Sequence, residues 1–163
     1  MSQIVMIVDD SKPLHALVKV HLGEENLVFH SAFNGSSALD MVASIKPDLI
    51  LLDLDMPDMN GFDVCRFLKV DPSTANIPVI FLTASTSSDE KACAFDSQAT
   101  DYITKPFDSN ELIARVRVAL RTKRLLDLLP PANCPTAQEA GSAREVNSRP
   151  LDSTCLGAPS ATV

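Results

Sequence analysis

A run of apolar residues that ends on an acid constrains the fold of this chain more than any other feature. Residues 49–52 (LILL) are all aliphatic, and Asp53 follows them directly. A short apolar run bounded by polar residues is typical of a strand that is buried on both faces of a parallel sheet. Ligands of open α/β sheets bind outside the carboxyl ends of the strands, so Asp53 is a candidate site residue. The loop that follows contains further acids and two turn-forming residues, Asp55, Asp58, Pro57 and Gly61.

A second strand-like run near the N-terminus ends in the same way. Residues 4–8 (IVMIV) are apolar and lead directly into Asp9 and Asp10. The carboxyl ends of parallel strands lie at one edge of the sheet. We therefore expect Asp9, Asp10 and Asp53 to lie close together.

Strand and helix patterns alternate five times along the chain. Strands are predicted at residues 4–8, 27–33, 49–53, 79–82 and 102–104, and apolar residues at helical spacing follow each of them. This alternation predicts an α/β fold, a doubly wound parallel sheet of five strands flanked by five helices. Thr83 follows the fourth strand and Lys105 the fifth, which adds a hydroxyl and an ammonium group to the same edge.

The composition changes near residue 130. Residues 130–163 contain five prolines, no aromatic residue and no sustained periodicity. Such a segment cannot bury enough apolar surface to offset the entropy of ordering, which predicts a disordered C-terminal tail. The expected boundaries are a folded domain at residues 1–126, and the end of the last helix with the tail at residues 127–163.

Charge and composition argue against several classes of protein. The net charge of −7 argues against direct binding of nucleic acid, which calls for a basic face. No apolar stretch approaches the roughly 20 residues that span a bilayer, and no secretion signal precedes the first strand, so we expect a cytoplasmic protein without a membrane partner. The four cysteines lack the paired spacing of a zinc site and are expected to be reduced.

The three acids at the predicted sheet edge call for a cation. Two carboxylates 4 Å apart repel by roughly 4 kcal/mol at an effective dielectric constant near 20. Carboxylate, carbonyl and water oxygens suit Mg²⁺ or Mn²⁺ rather than zinc or copper. The sequence therefore predicts an oxygen-liganded cation site at this edge.

Together these motifs resemble the receiver domain of bacterial two-component response regulators. The matching residues are the pair Asp9 and Asp10, Asp53 within LLDLDMPDMNGFD, Thr83 with Ala84, and Lys105 with Pro106 within DYITKPF. The match covers about residues 3–126, in order and with the family's spacing. The resemblance implies a flavodoxin-like fold and a phosphoacceptor response regulator rather than an enzyme with an external substrate.

The resemblance also implies a role for each matching residue. Asp53 would accept a phosphoryl group from a histidine of a sensor kinase or phosphotransfer protein. Mg²⁺, or Mn²⁺ in its place, would be held by Asp9, Asp10, Asp53 and the backbone carbonyl of Asp55. Lys105 would neutralise charge on the transferred group.

Three further features of the site are implied by the same family. Thr83 would hydrogen-bond a phosphoryl oxygen, and Tyr102 would turn inward behind it. The peptide bond between Lys105 and Pro106 would be cis. The segment at residues 96–99 departs from the family, because it lacks the glycine often found before the fifth strand.

Phosphorylation is expected to change the face formed by the fourth helix, the fifth strand and the fifth helix. Its charged residues resemble the contacts of receivers that dimerise symmetrically, so a phosphorylation-dependent homodimer is expected. The residues are Lys91 with Glu111, Asp96 with Arg117, and Asp101 with Arg115.

Three alternatives remain open at this point. The chain can be the receiver portion of a longer regulator such as a diguanylate cyclase, since residues 115–129 resemble the helix that leads into such domains, although no GGDEF-like motif follows. Asp53 and Asp55 also resemble the DxD nucleophile motif of haloacid-dehalogenase-type phosphatases, but the residues that should follow them are missing. A pseudo-receiver that only binds partners is disfavoured by the complete set of acids, threonine and lysine.

Overall fold

Strands and helices alternate along the chain as the apolar pattern predicts. The computed structural model describes residues 1–130, and the predicted disordered tail, with Cys134 and Cys155, lies outside the described residues. The elements are β1 (Gln3–Val8), α1 (Lys12–His21), β2 (Leu27–Ala32), α2 (Gly35–Ile45), β3 (Leu49–Asp53), α3 (Gly61–Val70), β4 (Val79–Thr83), α4 (Ser88–Asp96), β5 (Asp101–Thr104) and α5 (Ser109–Leu128).

The five strands form one parallel sheet in the order β2-β1-β3-β4-β5. This is the predicted doubly wound, flavodoxin-like topology. The direction of winding reverses between β1 and β3, which is where ligands bind in sheets of this kind. Val8 of β1 pairs with Leu52 of β3, so the residues that follow them, Asp9 and Asp53, emerge side by side at this point.

Alternate residues of the central strands face two separate cores. Leu49 and Leu51 of β3 pack in the core that α1 and α5 cover, whereas Ile50 and Leu52 pack in the core that α2, α3 and α4 cover. All five residues of β3 are buried, as the unbroken apolar run predicts. Asp53 is therefore delivered to the sheet edge by a strand that cannot shift without exposing apolar surface.

The apolar residues along α1 are not all buried. Val18 and Leu22 are fully buried, but Leu17 is 45% exposed. Positions 18 and 22 are four residues apart and lie on one face, whereas position 17 is rotated by about 100° from position 18.

Within the part of the chain that the structure describes, no helix is both long enough and apolar enough to cross a membrane.

Gln98 occupies the turn before β5, the segment in which the glycine of the family is absent. Its φ angle is 62°, in the left-handed region that glycine adopts most easily. A residue with a side chain loses roughly 1–2 kcal/mol in this conformation. Gln98 thus adopts a conformation that glycine would adopt at lower cost.

The first turn of α2 is capped by two side chains. Asn34 accepts a hydrogen bond from the backbone N–H of Ser37 at 2.7 Å. Asp58, from the loop after β3, accepts hydrogen bonds from the backbone N–H groups of Gly35 and Ser36 at 3.0 and 2.9 Å. These hydrogen bonds lower the pKa of Asp58, because they favour its ionised form.

We predict that Asp58→Ala lowers the melting temperature by a few degrees at neutral pH. A carboxyl group with a lowered pKa in the folded state stabilises the protein above its unfolded pKa, near 4, and this stabilisation is lost as the pH falls through the folded value. The difference in melting temperature between wild type and Asp58→Ala, followed by circular dichroism, should therefore shrink below about pH 4. Asp40→Ala, an exposed acid within α2, is the control and should show no such loss. A difference that does not change with pH would contradict the capping role.

Candidate functional site

Three carboxylates converge where β1 and β3 end. One carboxylate oxygen from each of Asp9, Asp10 and Asp53 lies within 4.8 Å of the others. Asp9 and Asp53 are buried, with exposed fractions of 1% and 5%, whereas Asp10 is exposed. The cluster therefore has a buried floor and one side that opens to solvent. Asp55 is an exposed residue of the loop that follows Asp53.

Lys105 bridges the two buried acids from the end of β5. Its Nζ lies 2.8 Å from Oδ2 of Asp9 and 3.0 Å from Oδ1 of Asp53. Its backbone N–H donates to the carbonyl of Thr83 at 2.6 Å, and its peptide bond to Pro106 is cis. Three carboxylates and one ammonium group leave the cluster with a formal charge of −2.

Burial and charge act in opposite directions on these groups. Burial raises the pKa of Asp53, the hydrogen bond and charge of Lys105 lower it, and the charge of Asp9 raises it, so the net effect is upward. Burial lowers the pKa of Lys105, but hydrogen bonds and charges from Asp9 and Asp53 outweigh this, and its pKa is also raised. The lysine is therefore a firmly protonated donor within the cluster.

Asp9 is held through its backbone as well as its side chain. Its N–H donates to the carbonyl of Ala32 at 3.1 Å, and its Oδ1 accepts from the N–H of Ser11 at 2.8 Å. Its carbonyl oxygen lies 2.7 Å from Nε2 of His15, a buried residue of α1. The sequence offered no partner for His15, because this contact joins a helix side chain to a strand end.

Thr83, at the end of β4, is hydrogen-bonded to α4. Its hydroxyl donates to Oε2 of Glu90 at 3.3 Å and accepts from the N–H of Ser85 at 3.0 Å. The spacing of Ser87 and Glu90 predicts a reciprocal capping box, and the structure contains half of it. Ser87 accepts from the N–H of Glu90, but the carboxylate of Glu90 binds Thr83 instead of the backbone of Ser87.

Tyr102 of β5 is half-buried beside Thr83. Both residues line a small cavity that is closed on its other sides by Leu54, Phe81 and residues of α4. Nζ of Lys91 lies 5.4 Å from the centre of the tyrosine ring. The small cavity therefore borders both the tyrosine ring and Thr83. The inward movement of Tyr102 stays a prediction.

Two arginines of the predicted dimer face are paired with acids of the same chain. Arg115 contacts Asp101 at 2.5 Å and Glu111 at 3.1 Å. Arg117 contacts Glu25, in the loop after α1, at 2.5 Å rather than facing α4. Its predicted partner in a dimer, Asp96, is exposed at the end of α4.

Comparison with known proteins decides the family. Residues 5–117 match the family described as the response regulator receiver domain. The chain belongs to this family. It is 42% identical over 117 residues to the DNA-binding dual master transcriptional regulator RpaA of Synechocystis, covering 72% of this chain and 48% of that protein. It is 41% identical over 121 residues to the DNA-binding response regulator MtrA of Mycolicibacterium smegmatis, covering 74% of this chain and 52% of that protein.

Solved receiver structures agree with the fold. The chemotaxis protein CheY4 of Vibrio cholerae superposes with a TM-score of 0.69 at 26% identity, covering 73% of this chain and 99% of that chain. The receiver domain of the Francisella response regulator 1452 superposes with a TM-score of 0.68 at 31% identity, covering 74% and 98%. The predicted family and fold class are therefore confirmed.

The comparisons also define how far the function is established. The chain is a receiver domain, a signalling domain of two-component phosphorelays, and the haloacid-dehalogenase alternative gains no support. Receiver domains bind Mg²⁺ at an acidic pocket, and Asp9, Asp10 and Asp53 form such a pocket. The chain spans about half the length of RpaA and MtrA. The prediction that nucleic acid is no partner is not supported, because both relatives are DNA-binding regulators.

Gly61 lies against the backbone of Asp53. A Cβ atom at position 61 would lie 2.4 Å from the carbonyl oxygen of Asp53 and 2.9 Å from Cα of Leu54. The backbone N–H of Gly61 also donates to the carbonyl of Leu54 at 3.0 Å. The start of α3 therefore packs on the end of β3 at a distance that excludes any side chain.

We predict that Gly61→Ala destabilises the protein by about 1–3 kcal/mol, because the backbone around Asp53 has to move to admit the methyl group. Urea unfolding followed by circular dichroism measures this loss. Gly23→Ala is the matched control, since the nearest atoms to a Cβ there lie at 3.2 and 3.3 Å. Equal losses for the two variants would show that the close approach to Asp53 is not the cause.

Proposed function

We propose that Asp53 is the phosphoacceptor of this receiver domain and that a phosphohistidine of a sensor kinase or phosphotransfer protein is the donor. The convergence of Asp9, Asp10, Asp53 and Lys105 at the reversal point of the sheet carries this proposal. A carboxylate oxygen of Asp53 attacks the phosphorus atom. The P–N bond breaks, and its electron pair stays on the imidazole of the donor.

The residues present fit a divalent cation. They supply carboxylate oxygens only, and the formal charge of −2 matches one Mg²⁺ or Mn²⁺. Asp9, Asp10 and Asp53, with the backbone carbonyl of Asp55, are the proposed ligands. A bound ion would supply positive charge to the oxygens of the transferred phosphoryl group.

Lys105 is proposed to neutralise the phosphoryl group on its other side. Its ammonium group already contacts Oδ1 of Asp53 at 3.0 Å and needs little movement to reach an oxygen of a group attached there. Positioned charge of this kind is the main protein contribution to phosphoryl transfer.

The proposed switch begins at Thr83. To hydrogen-bond a phosphoryl oxygen with its hydroxyl proton, Thr83 has to leave Glu90, which loosens the link between β4 and α4. Tyr102, which lines the small cavity beside Thr83, is proposed to turn inward as Thr83 moves. The α4, β5 and α5 face carries the change to a partner, since a ligand shifts an equilibrium by binding one state better than the other.

Phosphorylation of Asp53 is tested by intact mass spectrometry after incubation with acetyl phosphate. Wild type with Mg²⁺ should gain the mass of one phosphoryl group, because the acid cluster and Lys105 neutralise the incoming charge. Asp53→Asn, and wild type with EDTA, should gain none. Asp63→Asn, an exposed acid of α3, is the matched control and should be modified like wild type. A wild type that stays unmodified would contradict the proposal and favour a pseudo-receiver.

We propose in addition that the phosphorylated protein forms a symmetric dimer through the α4, β5 and α5 face. Size-exclusion chromatography with light scattering should show a dimer with Mg²⁺ and beryllofluoride, and a monomer without them. Arg115→Ala should prevent the shift, because it removes the cation that Asp101 and Glu111 share. Arg66→Ala, an exposed arginine of α3, should not. Phosphorylation of Asp53 by acetyl phosphate without the formation of a dimer would exclude the proposed dimer.

A second candidate is that this receiver forms part of a longer regulator with a separate output domain, such as a diguanylate cyclase or a DNA-binding regulator. The coverage of 48% and 52% of the relatives' lengths favours it. Sequencing of the coding region beyond residue 163 distinguishes the two candidates.

For both candidates the proposed location is the cytoplasm, where ATP-dependent histidine kinases phosphorylate their partners.

A further inference from the structure

His15 connects the acid cluster to the second strand of the sheet. Its side chain is buried, with an exposed fraction of 3%. Nε2 lies 2.7 Å from the carbonyl oxygen of Asp9, and Nδ1 lies 3.0 Å from Oγ of Ser31 in β2. A carbonyl oxygen can only accept, so Nε2 carries a proton and donates it to Asp9. The hydroxyl of Ser31 is the partner of the other ring nitrogen.

The imidazole ring has little freedom to turn in this position. Hydrogen bonds hold it at both nitrogens, and the ring of Phe33 lies beside it at an angle of 40°, with the ring centres 4.7 Å apart. The ring therefore links three parts of the fold through one rigid group. These parts are α1, the loop after β1 and the end of β2.

The contact with His15 completes the hydrogen bonding of Asp9. The backbone N–H of Asp9 binds Ala32, and its two carboxylate oxygens bind Ser11 and Lys105. His15 satisfies the remaining polar group, the carbonyl oxygen, which lies in a buried environment. This carbonyl belongs to the peptide group that joins Asp9 to Asp10, so the contact with His15 restrains the backbone between two of the proposed cation ligands.

We infer that His15 is a positioning residue of the cation site, acting through the backbone carbonyl of Asp9. The inference rests on the proposed function, because it concerns the site at which Mg²⁺ is proposed to bind. His15 does not touch the cation, and it acts as outer-shell partners of metal ligands do. Loss of such a partner typically costs about 10–100-fold in metal affinity.

Isothermal titration calorimetry with Mg²⁺ on the full chain tests this role. His15→Leu keeps an apolar side chain of similar size but removes both hydrogen bonds, and it should weaken Mg²⁺ binding by about 10-fold. His15→Gln retains an N–H donor near the position of Nε2 and should restore binding close to wild type. Ser31→Ala leaves the bond to Asp9 in place and should weaken binding less than His15→Leu.

Val18→Ala separates positioning from general stability. Val18 lies in the same helix and is fully buried in the core that α1 and α5 cover. It should lower the melting temperature at least as much as His15→Leu while leaving Mg²⁺ affinity unchanged. Equal weakening by the two variants would show that His15 acts only through stability and would overturn the inference.

The remaining outcomes are also decisive. Equal affinity of wild type and His15→Leu would overturn the role of His15 and leave the proposed function intact. Failure of wild type to bind Mg²⁺ would overturn the proposed cation site, and the inference with it. If His15→Leu does not fold, His15→Gln decides, and a 10-fold loss of Mg²⁺ affinity in a folded His15→Gln would contradict a role of the N–H group that donates to Asp9.

Discussion

The mutual repulsion of three carboxylates at the reversal point of the sheet is the constraint on which the rest of the structure depends. Asp9 and Asp53 are buried, so their charges are poorly screened, and the ammonium of Lys105 offsets only part of the repulsion. Folding holds these groups together because β1 and β3 are buried strands in fixed register. The cluster therefore keeps a net negative charge, which favours binding of a divalent cation.

The two sides of the cluster differ in how tightly they are held. On the side of β1, buried backbone groups and the ring of His15 fix Asp9. On the side of β4, Thr83 is joined to α4 by a longer hydrogen bond of 3.3 Å to Glu90, and a small cavity lies beside it. This difference supports the proposed switch, in which the acids stay in place and the hydroxyl of Thr83 moves.

Two arginines of the α4, β5 and α5 face are engaged in ion pairs within the chain. Arg115 contacts Asp101 and Glu111, and Arg117 contacts Glu25 in the loop after α1. Exposed pairs of this kind contribute only about 0–1 kcal/mol each. They can therefore be exchanged for contacts with a second chain at little cost, which makes this face suitable for a reversible interaction.

Much of the fold was predictable from local pattern. The apolar runs identify the strands, the helical spacing identifies the helices, and their alternation selects a parallel sheet. The site residues Asp9, Asp10, Asp53, Thr83 and Lys105 were predicted to share one edge because each follows a strand, and the structure places them there. Their roles in phosphoryl transfer stay a prediction. The missing glycine before β5 was visible in the sequence, but only the φ angle of Gln98 shows how the turn forms without it.

Tertiary structure alone decided the contacts between residues that are distant in sequence. Three such contacts join separate elements of the fold. They are the cap that Asp58 forms on α2, the hydrogen bond that Thr83 donates to Glu90, and the contacts of His15 with Ser31 and Asp9. A periodic pattern records which face of an element is apolar, but it does not record which polar group on a neighbouring element will lie within hydrogen-bonding distance. The sequence by itself thus determined the sheet, the helices and the acids at their common edge. The packing of helices on the sheet determined the polar contacts that orient those acids. A change of a few tenths of an ångström in the donor–acceptor distance is enough to weaken a hydrogen bond, and a sequence pattern does not specify distances so closely.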